Sequence, residues 1–342
     1  MTIPFSLSGY FDARGDARRA FVDAHGFAGA GIAPLYEDMA SRRFYRVTDG
    51  ARGAVLMDSL PDGHPHATPG HKLSDYIAIA AFLRAKSIHA PEIYAADEGA
   101  GFLLIEDFGD RQVDDSKLGE AVDTLIRLRE GYRTNELGRH AYFDSHIHRA
   151  RVRVVDWYMP CALRRPVPPE WRAEYLAIWE DIVQSLPPPL DGFVHADYHR
   201  GNLRALNGEV GVLDFQDAKW GPLAYDLVNL LGDGRIRIDP ALKAEMMVRY
   251  MAGFDAAQRE NFMLWYAILA AQFHGRVLGQ FIKLTLAGKP RYAAYIPLAQ
   301  AYMREDLAHP ALAALKRWFD AKGISFTETI EPDAALIAPD AL

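Results

Sequence analysis

Apolar residues recur at helical spacing from Asp12 to Phe27, through Ala17, Ala20, Phe21 and Ala24, and predict one helix there. Three short apolar runs with strand character follow, Gly31–Tyr36, Phe44–Thr48 and Ala54–Met57. Turn residues bound them, including Asp49-Gly50 and Pro61-Asp62-Gly63. Ser74–Ser87 reads as an amphipathic helix, with Ile77, Ile79, Ala80 and Leu83 apolar and Ser74 placed to cap it. Ile93–Ala96 and Phe102–Glu106, separated by Asp97-Glu98-Gly99-Ala100-Gly101, predict a hairpin. Asp107-Phe108-Gly109-Asp110 then breaks the pattern.

Beyond residue 114 the spacing is mostly helical, over Lys117–Tyr132, Trp171–Ser185, Pro222–Leu231, Pro240–Met251 and Asp255–Leu284. The breaker Pro187-Pro188-Pro189 precedes Phe193–Asp217, where two short apolar strands are joined by Asn207-Gly208. The pattern therefore predicts an α+β chain of two lobes. A small β-rich lobe spans 1–110, a larger helical lobe 111–327 and a tail 328–342, with a connector near Phe108–Asp114.

Composition narrows the class. The chain has 342 residues, half of them hydrophobic and 24% charged, enough for about two domains with large cores. The single cysteine, Cys161, excludes an internal disulfide and a cysteine-based metal site, and is expected to be a packing residue. Met1–Tyr10 lacks a basic cluster followed by an apolar stretch, so no signal peptide is expected. The longest apolar run, Phe262–Ala271, is far short of the ~20 residues that span a bilayer. The expectation is a cytoplasmic protein with no membrane partner. A net charge of -7 gives no support for nucleic acid. It divides unevenly: residues 1–110 carry 10 basic and 15 acidic groups (net -5), and residues 111–342 carry 28 and 30 (net -2). Oligomeric state is not legible.

The chemistry concentrates in one stretch. Residues 194–203 read Val-His-Ala-Asp-Tyr-His-Arg-Gly-Asn-Leu, and Val212-Leu213-Asp214-Phe215-Gln216-Asp217 follows a short hairpin. The spacing H-x-D-x-x-x-x-N, then a hairpin, then Asp on a strand end, is that of a kinase catalytic loop followed by a metal-binding Asp. Phosphoryl transfer needs a carboxylate to orient the attacking hydroxyl and take its proton, a part for Asp197. It also needs hard oxygen ligands for Mg²⁺ on the nucleotide phosphates, a part for Asn202 and Asp214. His195 would hold the loop through the backbone. Arg200 fits either phosphate neutralisation or an exposed, solvated charge.

The segment His-Ala-Asp-Tyr-His-Arg-Gly-Asn resembles the H-G-D-x-H-x-x-N of the aminoglycoside phosphotransferase-like kinases, which also include choline, homoserine and sugar kinases. Gly211–Ala218, Gly221–Val228, Ala54–Asp58 with Pro61, Ser41–Arg46, and Leu278, Gly279, Phe281, Leu284, Lys289 and Tyr292–Pro297 are similar to the subgroup that phosphorylates N-acetylmuramate and N-acetylglucosamine at the anomeric hydroxyl. The resemblance spans about Glu37 to Phe319. It implies a protein-kinase-like fold and ATP as co-substrate with Mg²⁺. It also implies an amino sugar as small-molecule substrate and a product that feeds cell-wall recycling. In the family Asp226 holds the catalytic loop, and the backbone of Glu106 and its neighbours pairs with adenine.

The sequence departs from the family in two places. The third strand, Ala-Val-Leu-Met-Asp, has no Lys for the phosphates, and there is no G-x-G-x-x-G. Arg42, Arg43 and Arg46 are the nearest replacements. The segment Gln272–Arg276 is less basic than in the subgroup. Asp217 could stand behind the metal, touch substrate or cap a loop. The aromatic residues Trp157, Tyr158, Trp265, Tyr266 and Phe273 have core spacing. His64, His66 and His71 lie beside Pro and Gly with no carboxylate at ligand spacing, so a loop is expected rather than a metal site. An aminoglycoside or choline/homoserine-type kinase, or an inactive nucleotide-binding protein, remain alternatives. The near-neutral helical lobe weighs against a polycationic substrate.

Overall fold

The computed structural model describes residues 6–37, 42–50, 52–67 and 72–339. Ser41 and His71 lie outside the described residues, as does the first half of Met1–Tyr10. In chain order the first elements are α1 (Leu7–Asp12), α2 (Gly15–Ala24), β1 (Gly31–Glu37), β2 (Arg42–Asp49), β3 (Arg52–Ser59), α3 (Leu73–Ala85), β4 (Ile93–Asp97) and β5 (Phe102–Glu106). Next come α4 (Leu118–Gly131), α5 (His146–Arg149), α6 (Met159–Leu163), α7 (Glu170–Gln184), β6 (Asp191–Val194), β7 (Leu203–Ala205), β8 (Val210–Val212) and β9 (Lys219–Pro222). Five helices close the chain, α8 (Ala224–Leu231), α9 (Pro240–Tyr250), α10 (Ala256–Leu286), α11 (Ile296–Asp306) and α12 (Ala313–Ala321).

The α+β order matches the expectation, with local corrections. The predicted helix 12–27 is the shorter α2, 15–24: a separate helix, α1, ends at Asp12, the chain turns at Ala13 and Arg14, and α2 stops before Gly26 at φ 86°. Ser74 does not cap α3. Asp62, from the preceding loop, takes the amides of Leu73 (2.6 Å) and Ser74 (3.3 Å) and the Ser74 hydroxyl (2.6 Å). A carboxylate outside the helix thus does the work expected of the first-turn serine.

The chain divides into two compact units, each built from two segments. Residues 1–128 and 200–217 form the first; 129–199 and 218–342 form the second. In the first unit five antiparallel strands order as β1-β2-β3-β5-β4. Side chains alternate across the sheet. Val47, Ala54, Leu56, Phe102 and Leu104 face Phe21 and Val22 of α2 and form one core. Asp58 continues that inner face at the end of β3. It is fully buried and bonded at 2.9 Å to both Arg14 and Arg18. Burial pushes its carboxyl up, against the two guanidiniums.

The β7–β8 hairpin belongs to this unit through the backbone. Val212 donates to His89 O and Ala205 to Arg111 O, both at 2.8 Å. The Phe108 ring packs against Gly211, where an added Cβ would meet it at 2.6 Å. Only glycine allows that contact.

The second unit is helical. Its long α10 starts in a capping box, with Asp255 and Gln258 each bonding the other's backbone amide. It packs against α8, α11 and the run 146–163. That run passes from α5 through a 3₁₀ turn (Ala150–Val152) and a π turn (Val154–Tyr158) into α6. Gly279 of α10 lies so close that a Cβ there would stand 2.3 Å from Arg153 O. Trp157, Tyr158, Trp265, Tyr266, Phe273 and Cys161 are all buried. The tail is anchored at its start: Tyr158 donates to Glu328 Oε2 (2.7 Å) and Gln300 to Glu328 O (2.9 Å). No described helix is long and apolar enough to cross a membrane.

Asp58→Ala leaves two part-buried guanidiniums without their carboxylate, and breaking a buried pair this way costs about 3–5 kcal/mol. Urea unfolding should report a loss of that order, with Arg14→Met/Arg18→Met/Asp58→Leu recovering most of it.

Candidate active site

The segment following β6 is held from α8. Asp226, in the first turn of α8, accepts the amide of His195 at 2.6 Å and that of Ala196 at 3.0 Å. All three residues are buried. Burial pushes the Asp226 carboxyl up to about 7, with the Asp197 charge adding to the rise and the two amides opposing it. His195 Nδ1 accepts the Asp197 amide at 3.3 Å, so the imidazole holds the loop through backbone, as the sequence predicts. Ala196 is forced to φ 78°, a left-handed value costly for a residue with a Cβ.

Asp197 then points its half-exposed carboxylate into a cavity of about 210 Å³, with His199, Asn229, Arg235, Phe273 and Arg276 among the walls. Burial acts to raise the Asp197 carboxyl. His199, at 3.4 Å, together with Arg276 and His195 outweighs it and holds the group well below the usual carboxylate range. The Asp197 carboxyl is therefore ionised across the physiological range. Asp233 grips Arg235 through two bonds of 2.8 Å.

In the other unit, Arg200–Asn202 form a 3₁₀ turn that leads into β7. Asn202 Nδ2 stands 3.5 Å from Asp214 Oδ2. Asp214 follows β8 with φ 61°. Its Oδ1 also accepts Gln216 Nε2 at 2.7 Å and lies 3.4 Å from Arg42 Nη2. Phe215, fully buried against Tyr76 of α3 with ring centroids 4.7 Å apart, anchors the turn.

These groups edge a cavity of about 150 Å³. Its apolar walls include Leu35, Phe44, Val55, Met57 and Ile105, and its polar rim includes Arg42, Arg46, Glu106, Asp107 and Asp214. Val55 and Met57, on the face of β3 opposite Asp58, line the cavity with no Lys among them, and Arg42 on the neighbouring strand brings a positive charge. A flat apolar slot with a charged mouth suits a nucleotide base and its phosphates.

Four of the residues singled out from sequence sit differently from expectation. Arg43 does not join Arg42 and Arg46, because strand alternation turns it to the opposite face, over the Phe11 ring at 5.5 Å. Arg46 reaches the cavity but is clamped by Asp107 (2.7 Å) and Asp110 (2.8 Å). Arg200 is neither solvated nor aimed at a phosphate. It is buried and paired with Asp115. Glu106 N–H already donates to Glu92 O at 2.9 Å, so that amide is not open to an adenine edge. Asp217 is half-buried past the Phe215 turn. Gln216, Asp233, Arg235, Arg276 and the Asp107/Asp110 clamp were not anticipated. Asp107 was visible as a neighbour of Glu106 in the connector and Asp110 only as part of a break in the apolar pattern.

A divalent cation fits the donor set. One carboxylate and one amide side chain, with room for phosphate and water oxygens, is the arrangement Mg²⁺ accepts, since it keeps several non-protein ligands. Among the described residues no group of three or more His, Cys, Asp or Glu forms a denser metal cage, at His64 and His66 or elsewhere.

A five-stranded sheet unit with a catalytic-type loop and a helical unit is the α+β arrangement of protein-kinase-like small-molecule kinases. Solved structures agree on the fold. A choline/ethanolamine kinase family protein from Mesorhizobium loti superposes with TM-score 0.57 at 13% identity, covering 93% of this chain and 99% of its own. A thermostable mutant of an aminoglycoside phosphotransferase gives 0.54 at 15%, covering 84% and 98%. The chain belongs to the phosphotransferase enzyme family, whose model matches residues 31–262. It is thus a small-molecule phosphotransferase with ATP as co-substrate. An N-acetylmuramate/N-acetylglucosamine kinase of Caulobacter vibrioides is 31% identical over 89% of this chain and 95% of its own. One of Pseudomonas aeruginosa is 31% identical over 84% and 87%.

Ala196→Gly removes a left-handed penalty of about 1–2 kcal/mol and adds unfolded-chain entropy of about 0.5–1 kcal/mol. Thermal unfolding should show a net gain of up to about 1 kcal/mol, with turnover retained.

Proposed function

We propose that the protein transfers the γ-phosphate of ATP to the anomeric hydroxyl of N-acetylmuramate or N-acetylglucosamine, in the cytoplasm, making a sugar 1-phosphate for cell-wall recycling. The observation that carries this reading is the full-length similarity to relatives of that name, joined to an ionised Asp197 in a cavity of sugar size. Nucleotide binding is assigned to the first unit and acceptor binding to the second, with the segment Asp197–Asn202 running from one to the other.

In this mechanism Asp197 accepts a hydrogen bond from the acceptor hydroxyl and takes its proton as the oxygen bonds to the γ-phosphorus. The bond from that phosphorus to the β–γ bridging oxygen breaks, and ADP leaves. Asn202 and Asp214 would hold Mg²⁺, which when bound offsets charge on the nucleotide phosphates. Arg42 orients Asp214 and adds positive charge beside the phosphates. His195, Asp226 and the Arg200–Asp115 pair hold the loop.

The acceptor cavity also bears on the alternatives. Arg235 neutralises Asp233, and Arg276 faces Asp197, so the walls hold no excess acid to draw a polycation.

An ATP-consumption screen over N-acetylmuramate, N-acetylglucosamine, choline, homoserine and kanamycin tests the reading. Turnover of the two N-acetyl sugars is expected. Turnover of another class alone, or of none, overturns it. Asp197→Asn should lower kcat about 10²- to 10⁴-fold with an unchanged unfolding midpoint. Arg42→Met should raise the KM for ATP about tenfold, the scale of one lost charge-assisted hydrogen bond of about 1.5 kcal/mol, and leave the acceptor KM within twofold.

A further inference from the structure

One face of α10 runs along the cavity that Asp197 enters. Phe273, Arg276, Val277, Gln280 and Leu284 line it, and their spacing of three and four residues keeps them on that face. Two arginines are among the lining residues, and they differ. Arg235 is clamped by both Asp233 oxygens at 2.8 Å, so its fork is occupied. Arg276 has no such clamp. It is half-buried, its guanidinium lies 5.2 Å from the centre of the Phe273 ring, and it makes no ion pair among the described residues. Asp197 feels the Arg276 charge, but its close partner is His199, at 3.4 Å.

A second guanidinium acts on the same place. Arg153, from the run 146–163, donates to Gln280 Oε1 at 2.5 Å, which ties it to the α10 face. The acid that acts on Arg153 is Asp156, itself paired with Arg172 at 3.3 Å. Burial, and after it the Arg276 charge, bring the Arg153 guanidinium down to about 10. Two part-buried cations that oppose each other are a place where an anion is favoured, because it relieves their repulsion. Of the two, Arg276 is the one that lines the cavity.

The two acceptor sugars named above differ in one substituent. N-acetylmuramate carries a lactyl ether, with its carboxylate, where N-acetylglucosamine has a free hydroxyl. A guanidinium fork matches a carboxylate with two parallel hydrogen bonds. A site built around such a pair disfavours the analogue that lacks the charge.

We propose that Arg276 is a specificity-determining residue of the acceptor cavity: it pairs with the carboxylate of N-acetylmuramate and makes that acidic sugar the preferred acceptor, with Arg153 adding a second positive charge nearby. This inference rests on the sugar-kinase reading and deepens it.

The test is steady-state kinetics at saturating ATP. The acceptors are N-acetylmuramate, its uncharged methyl ester, N-acetylglucosamine, and N-acetylglucosamine 6-phosphate, which offers a phosphate instead. For the wild-type chain, kcat/KM for N-acetylmuramate should exceed that for the ester and for N-acetylglucosamine about tenfold or more, the scale of one charge-assisted pair. Arg276→Met should bring the ratio of acid to ester within about twofold. Arg276→Lys, which keeps the charge and loses the fork, should restore part of that ratio. A ratio is the readout because the Arg276 charge also acts on Asp197, so its loss touches every acceptor.

A wild-type chain that does not discriminate acid from ester overturns the inference, as does a preference that Arg276→Met leaves intact. In both cases the sugar-kinase assignment stands. Preference for the 6-phosphate over N-acetylmuramate also overturns it. Turnover of none of the four sugars overturns the inference and the assignment together. If Arg276→Met does not fold, the ester comparison on the wild-type chain and the Arg276→Lys variant decide the question.

Discussion

One carboxylate organises the catalytic segment. Asp226 accepts two consecutive backbone amides, His195 and Ala196, from inside a fully buried helix. Two amides can point at one carboxylate only if the chain between them turns sharply, and that turn sets Ala196 at its left-handed angle. The turn in turn aims Asp197 into a cavity rather than back into the core. The position of its carboxylate is therefore a consequence of satisfying buried N–H groups, with strain at Ala196 accepted as the cost. The β6–β9 pairing supplies the approach, since β9 runs directly into α8 and brings Asp226 beside the end of β6.

Charge is handled in pairs throughout both units. Asp58 answers Arg14 and Arg18, Asp107 and Asp110 answer Arg46, Asp115 answers Arg200, and Asp233 answers Arg235. Asp197 is the looser case: it lies 3.4 Å from His199 at the edge of a cavity, and His199, Arg276 and His195 together hold its carboxyl low.

Much of the fold was legible because burial on one face leaves a period. The sheet runs, the Asp97–Gly101 hairpin and the long helices all announced themselves through spacing. The closeness of Asn202 and Asp214 was legible because the kinase-like spacing puts a hairpin between them. What escaped depended on partners distant in sequence. Nothing at Arg43 says which face of a strand it occupies until the register of β2 against β3 is known. Arg200 pairs with a residue 85 positions away. Asp62 caps a helix that starts 11 residues later.

The contact of Phe108 with Gly211 has a consequence for how this chain can diverge. The ring occupies the volume a side chain at 211 would need. Any change at 211 must therefore follow, or arrive with, a smaller residue at 108. Two positions about a hundred residues apart are thus constrained to drift as one, and a single mutational step at 211 is closed. Across homologous chains the pair should trade volume, one residue growing only where the other shrinks.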